Sequence, residues 1–87
     1  MLREYTVKDE AGLHARPLSV MVNHVANYDV PIHIGYKTKK VPLHSMMMAM
    51  SLGVPHAETF TIEIDAEDAE AIFTSLETIM KQHDLID

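Results

Sequence analysis

Apolar and polar side chains alternate from Arg3 to Lys8, with Tyr5 and Val7 on one side and Glu4 and Thr6 on the other. A period of two puts successive side chains on opposite faces of an extended chain, so residues 3–8 are expected to form a strand. Asp9-Glu10-Ala11-Gly12 follows as a turn. The period then changes. Leu18, Met21, Val22 and Val25 recur at helical spacing and make one apolar stripe, which predicts a helix over residues 16–27. Pro17 suits its first turn, where an N–H has no intrahelical acceptor, and Asn27 is a terminator.

Alternation returns at Ile32, Ile34 and Tyr36, separated by His33 and Gly35, giving a second strand. Lys37-Thr38-Lys39 is expected to be the turn into a short third strand, Lys40 to Leu43. Pro42 cannot donate a ladder hydrogen bond, which assigns that strand to a sheet edge. Ser45 is a good N-cap and Gly53 a good residue beyond a helix end, so residues 46–52 read as a short helix. Phe60, Ile62 and Ile64 define a fourth strand. Ala69, Ile72, Phe73, Leu76, Ile79 and Met80 line one face of a last helix, with Glu67, Asp68 and Glu70 at its start and Lys81 at its end, as the helix dipole favours. The order is β-α-β-β-α-β-α. A four-stranded antiparallel sheet with the helices on one face buries both kinds of apolar surface, which predicts an α+β, two-layer open-faced sandwich.

Length and charge narrow the function. The 87 residues leave room for one domain, residues 1–87. There is no cysteine, which removes disulfides, thiolate metal sites and cysteine nucleophiles and fits a reducing compartment. The six histidines show no metal-ligand spacing, so no metal is expected. The net charge of −6 disfavours nucleic acid as a partner. No apolar run reaches a membrane span and the N-terminus lacks a signal-peptide core, so a cytoplasmic location is expected. The charge is unevenly spread. Residues 11–56 hold Arg16, Lys37, Lys39 and Lys40 against the single acid Asp29, whereas residues 57–87 are strongly acidic. The middle of the chain is where an anion would be received. The lysines of the hairpin read as a solvated turn, and His24, His33, His44, His56 and His83 as solvent-exposed.

Gly12-Leu13-His14-Ala15-Arg16-Pro17 carries the chemistry. It sets an imidazole at the mouth of a helix, where the N–H groups of Arg16, Leu18 and Ser19 are expected to lack intrahelical acceptors and to attract an anion. Arg16 adds a planar donor suited to phosphate oxygens. A neutral imidazole is a nucleophile near neutral pH. Together these make a phosphoryl relay, with His14 and Arg16 as the reacting pair.

That segment resembles the active-site segment of HPr, the histidine-containing phosphocarrier family of the bacterial sugar phosphotransferase system. Leu43-His44-Ser45-Met46-Met47-Met48-Ala49-Met50-Ser51-Leu52-Gly53 is similar to the family's regulatory serine segment. The spacing between the two segments, the element order and the length agree, so the resemblance covers essentially the whole chain. It implies that His14 takes a phosphoryl group on Nδ1 from phosphorylated enzyme I and passes it to an enzyme IIA domain. Arg16 and the amides of Arg16 and Leu18 would steady the phosphate. The protein would be a stoichiometric carrier rather than an enzyme, with no cofactor, and a monomer. Ser45 matches the serine modified by HPr kinase/phosphorylase, whose product binds a catabolite-control transcription factor. Leu18, Met46, Met47 and Met50 match the apolar docking patch, although at least one methionine of residues 46–50 is expected in the core. Leu18 stands where the family has a small residue, His44 where lysine is common, and Met48 where glycine or lysine is frequent. Asn23 and Ala26 replace lysines of some relatives, so the basic docking face is thin. A regulatory member of the family, serving a nitrogen-type phosphorelay or acting as an interaction module, is the alternative.

Overall fold

The computed structural model describes residues 1–87. Seven elements follow the expected order: β1 Leu2–Thr6, α1 Ala15–Val25, β2 Ile32–Tyr36, β3 Lys39–Pro42, α2 Met46–Met50, β4 Thr59–Ile64 and α3 Ala69–Gln82. The strands form one antiparallel sheet in the order β1-β4-β2-β3. The register puts Tyr5 opposite Phe60 and Ile34 opposite Ile62. Alternation therefore gathers Phe60, Ile62 and Ile64 of β4 with Ile32 and Ile34 of β2 on one face, all buried. The apolar stripes of α1 (Leu18, Met21, Val25) and α3 (Ile72, Phe73, Leu76, Met80) close over that face. This is the α+β open-faced sandwich that the pattern predicts. β3 lies at the edge, where Pro42 leaves no central ladder bond unmade.

Boundaries differ where backbone geometry decides them. The β2–β3 turn is Lys37-Thr38 alone, because Lys37 adopts a positive φ of 55° and lets Lys39 pair directly with Tyr36. β3 therefore begins and ends one residue earlier than expected. β1 stops at Thr6, yet Val7 stays buried and exchanges bonds with residues 57 and 58. α2 ends at Met50, as Leu52 and Gly53 turn back onto Ala49 and Met50 and Gly53 takes φ 57°.

The C-terminus of α3 helps to hold the site. Asp84 takes the left-handed conformation at φ 57°. Its N–H donates to the Lys81 carbonyl, and that of Leu85 donates to the Met80 carbonyl. This pairing of the last carbonyls defines a Schellman cap. Leu85 is thereby buried, and its carbonyl accepts the Lys8 N–H at 2.8 Å, tying the segment after β1 to the end of the chain.

No polar side chain is fully buried, but one polar cluster bridges β1 and α3. Glu77 accepts from Tyr5 Oη at 2.6 Å and from Arg3 Nη1 at 3.0 Å, while Arg3 lies over the Phe73 ring. Partial burial opposes the charge on Glu77, but the bonds from Tyr5 and Arg3 win and hold its pKa below the usual carboxylate value. Lys40 does the same for Glu63, and the Ala11 N–H leads the lowering at Asp9. A carboxylate with a depressed native pKa contributes stability that is full above its unfolded pKa and is lost as pH falls through the native value. The urea midpoint should therefore fall between about pH 5 and about pH 3. The Glu77→Gln variant should show a shallower fall, and an identical profile in the variant would contradict the assignment.

Candidate functional site

The loop between β1 and α1 is built by one side chain and one glycine. The Asp9 carbonyl accepts the Gly12 N–H at 2.9 Å, and its carboxylate Oδ1 accepts the Ala11 N–H at 2.9 Å. This Asx turn brings Gly12 to φ +75°, where a Cβ would lie 2.5 Å from the Val54 carbonyl oxygen. The next residue, Leu13, buries its side chain and donates its N–H to that same oxygen at 2.8 Å. His14 is then delivered as the N-cap of α1, in extended conformation, with its carbonyl accepting the Leu18 N–H.

Because the His14 side chain makes no cap, the first turn keeps its free donors. The N–H groups of Ala15 and Arg16 have no acceptor in the protein, and Pro17 has no N–H. The His14 ring is partly exposed. Its Nε2 is buried without a hydrogen bond, 3.6 Å from Asp9 Oδ2, so Nδ1 is the accessible ring nitrogen. The Arg16 guanidinium is 79% exposed and stands 3.8 Å from the same carboxylate oxygen. Bonding from the Ala11 N–H, with the positive ends of His14 and Arg16, keeps the Asp9 pKa below the usual range. An open ring nitrogen, two unsatisfied amides and an exposed cation thus meet at one helix mouth, an arrangement able to hold a phosphoryl group.

Leu18 is not where the docking role needs it. It is 1% exposed and packs in the core, because it faces the sheet on the α1 stripe. Its amide is also engaged, donating to the His14 carbonyl at 3.2 Å, so the free amides are those of Ala15 and Arg16. Ser19 sits one position further inside the helix, with its hydroxyl on the Arg16 carbonyl. No methionine of residues 46–50 is buried: the interior position of the short α2 is Ala49. Met46 packs partly against the core, whereas Met47, at 83% exposed, Met48 and Met50 face outward. Met50 joins Leu13, His14, Ala15, Val54 and Pro55 around a shallow cleft. Ser45 is the N-cap of α2, its Oγ accepting the Met48 N–H at 3.2 Å.

Two histidines are less exposed than expected. His24 contacts Ser75 Oγ at 2.8 Å across α1 and α3, and His33 is half-buried in β2. Asp9 was legible only as a turn residue. The signal available in the sequence was an Asp two positions before an N–H that must turn, five residues ahead of the histidine.

The fold and this helix mouth match a family of small proteins built around a histidine at the start of a helix. The family described as "PTS HPr component phosphorylation site" matches residues 1–82. The chain therefore belongs to the HPr family of the phosphotransferase system. Solved relatives agree. The histidine-containing phosphocarrier protein of Mycoplasma is 28% identical over 100% of this chain and 99% of its own, with a TM-score of 0.93. HPr from Bacillus anthracis is 28% identical, covering 91% and 94%, with a TM-score of 0.80. The Bacillus subtilis catabolite-repression protein Crh is 26% identical, covering 93% and 92%, with a TM-score of 0.71. No helix is long and apolar enough to cross a membrane.

Gly12 is the tightest point of the loop. Gly12→Ala must adopt a left-handed conformation and also displace the Val54 carbonyl, so it should destabilise by about 2–3 kcal/mol, seen as a lower urea midpoint. An unchanged midpoint would show that the loop tolerates a Cβ there.

Proposed function

We propose that the chain is a phosphocarrier that accepts a phosphoryl group on His14 Nδ1 from phosphorylated enzyme I and passes it to an enzyme IIA domain in sugar uptake. The observation that supports this most directly is the accessible Nδ1 beside two free amides and the Arg16 guanidinium. Phosphoryl transfer rests on positioning and charge stabilisation, so a small protein can carry the group while its partners supply the remaining groups. In the transfer the Nδ1 lone pair forms the new N–P bond as the donor's N–P bond breaks. The phosphate oxygens then meet the Ala15 and Arg16 amides, and Arg16 swings from Asp9 to the phosphate.

Partners dock over the exposed Met47 and Met50 and the partly buried Met46, since flexible thioethers adapt to more than one surface. Ser45 is a regulatory phosphorylation site for HPr kinase/phosphorylase. A phosphate there adds roughly −1.5 to −2 charges beside the docking face and would oppose an acidic partner while favouring a catabolite-control transcription factor. A regulatory family member is the second reading. It is favoured by the docking face itself, where Arg16 is the only Lys or Arg of α1 and α2 carries none.

Incubation with phosphoenolpyruvate and enzyme I should add one acid-labile phosphate by intact mass, absent from His14→Ala. No phosphate on a folded protein with an active enzyme I would overturn the carrier reading. Arg16→Ala should slow phosphorylation roughly 10–100-fold, the loss of one charge-assisted hydrogen bond. An unchanged rate would remove Arg16 from the site.

A further inference from the structure

Asp9 faces the reactive histidine with more than a turn requires. Its Oδ1 closes the turn on the Ala11 N–H, which leaves Oδ2 free to point at the buried His14 Nε2. That nitrogen has no hydrogen bond, and an anionic oxygen at 3.6 Å is the charged group turned toward it. A ring nitrogen so placed is favoured as N–H rather than as a lone pair, because a lone pair would face a carboxylate inside a poorly solvated gap. The other ring nitrogen, Nδ1, is then the lone pair, and it is the one open to a partner.

We propose that Asp9 is a positioning residue that holds the proton of His14 on Nε2, so that Nδ1 is the nucleophile and the phosphorylated ring is stabilised as an imidazolium. This deepens the carrier reading and rests on it. The step balances. The Nδ1 pair forms the N–P bond, the donor's N–P pair returns to the donor nitrogen, and the Nε2 proton stays in place. The ring then carries a positive charge beside Asp9. In onward transfer the Nδ1–P pair returns to Nδ1, and a protonated ring is the better leaving group. The same logic of carboxylate, imidazole and open second nitrogen operates in hydrolase triads. Arg16 shares Oδ2 at 3.8 Å, so its movement to a bound phosphate leaves that oxygen to His14 alone at the moment when the ring becomes cationic.

The charged and titratable groups around the pair come from three segments. Arg16 lies on α1. His56 places Nδ1 3.2 Å from the Asp9 carbonyl oxygen. His83 and Asp84, after α3, line a cleft with Asp9 and Arg16, and Asp84 itself pairs with Lys8 at 3.6 Å. None of them replaces a carboxylate at Nε2.

The test uses Asp9→Asn, which can keep the turn acceptor for Ala11 while presenting an amide NH2 to Nε2. Glu10→Gln serves as a control for the change in net charge. In the unphosphorylated protein at about pH 9, well above the ordinary imidazole range, ring nitrogen chemical shifts should report the Nε2–H tautomer in the native chain and in Glu10→Gln. In Asp9→Asn they should move toward Nδ1–H. After chemical phosphorylation with phosphoramidate, the Nε2 proton of phosphohistidine should bind about tenfold more weakly in Asp9→Asn, the effect of one lost charge at this distance near the surface. Identical tautomers and identical phosphohistidine titrations in all three proteins would overturn the proposal and leave Asp9 as a turn residue. If Asp9→Asn loses its fold, Asp9→Ser, which retains a turn acceptor, decides by the same spectra. If native His14 takes no phosphate, the carrier reading fails, while the tautomer comparison still decides the role of Asp9.

Discussion

The hydrogen bond from the Leu13 N–H to the Val54 carbonyl, 2.8 Å long, fixes where the chain can present His14. It fastens the loop before α1 to the segment after α2, which the contact of His56 Nδ1 with the Asp9 carbonyl oxygen at 3.2 Å also joins. Gly12 allows it, because any Cβ at that position would meet the same oxygen. Around it, Val7 exchanges bonds with residues 57 and 58, and Lys8 bonds Leu85. The site is thus carried on irregular backbone that the segment after α2 and the end of the chain hold down. The sheet and the two long helices supply the rigid base, and the loop supplies the orientation of one imidazole.

This arrangement separates stability from chemistry. The apolar faces of β2, β4, α1 and α3 take up the buried area, and no polar side chain is fully buried with them. The reactive groups sit at the end of the sandwich, where α1 begins. Burying Leu18 and Met21 one turn later anchors that helix, so its unpaired amides point out of the fold rather than fraying into it. The thioethers of Met47, Met48 and Met50 stay outside for the same reason. Five residues make too short a helix to bury more than one side, and the small Ala49 fills it.

Most of this was legible in the sequence because two periods are hard to confuse over a full element. Phe60-Thr61-Ile62-Glu63-Ile64 alternates, and Leu18 to Val25 repeats at helical spacing, so the seven elements and their order could be read directly. The Gly12–Pro17 segment likewise announced a histidine at a helix mouth. What the pattern missed depends on three-dimensional closure. The resemblance assigned Leu18 to docking, whereas the apolar stripe that it shares with Met21, itself readable in the sequence, turns it into the core. Lys37 adopts a positive φ that no rule for lysine predicts, which shifted β3 by one residue. The approach of Asp9 to His14 exists only after the Asx turn folds the chain back, and the sequence marks Asp9 only as a turn residue.

The fold buries Nε2 of His14 beside Asp9 and leaves Nδ1 open, which makes Nδ1 the atom proposed to take the phosphoryl group. Nitrogen–phosphorus coupling in the spectrum of the isotope-labelled phosphoprotein tests it most directly. Phosphorus coupling to the Nδ1 resonance, with a proton on Nε2, is the expected result. Coupling to Nε2 would mean that the ring turns over before it reacts, and that the buried contact with Asp9 does not set the geometry of transfer.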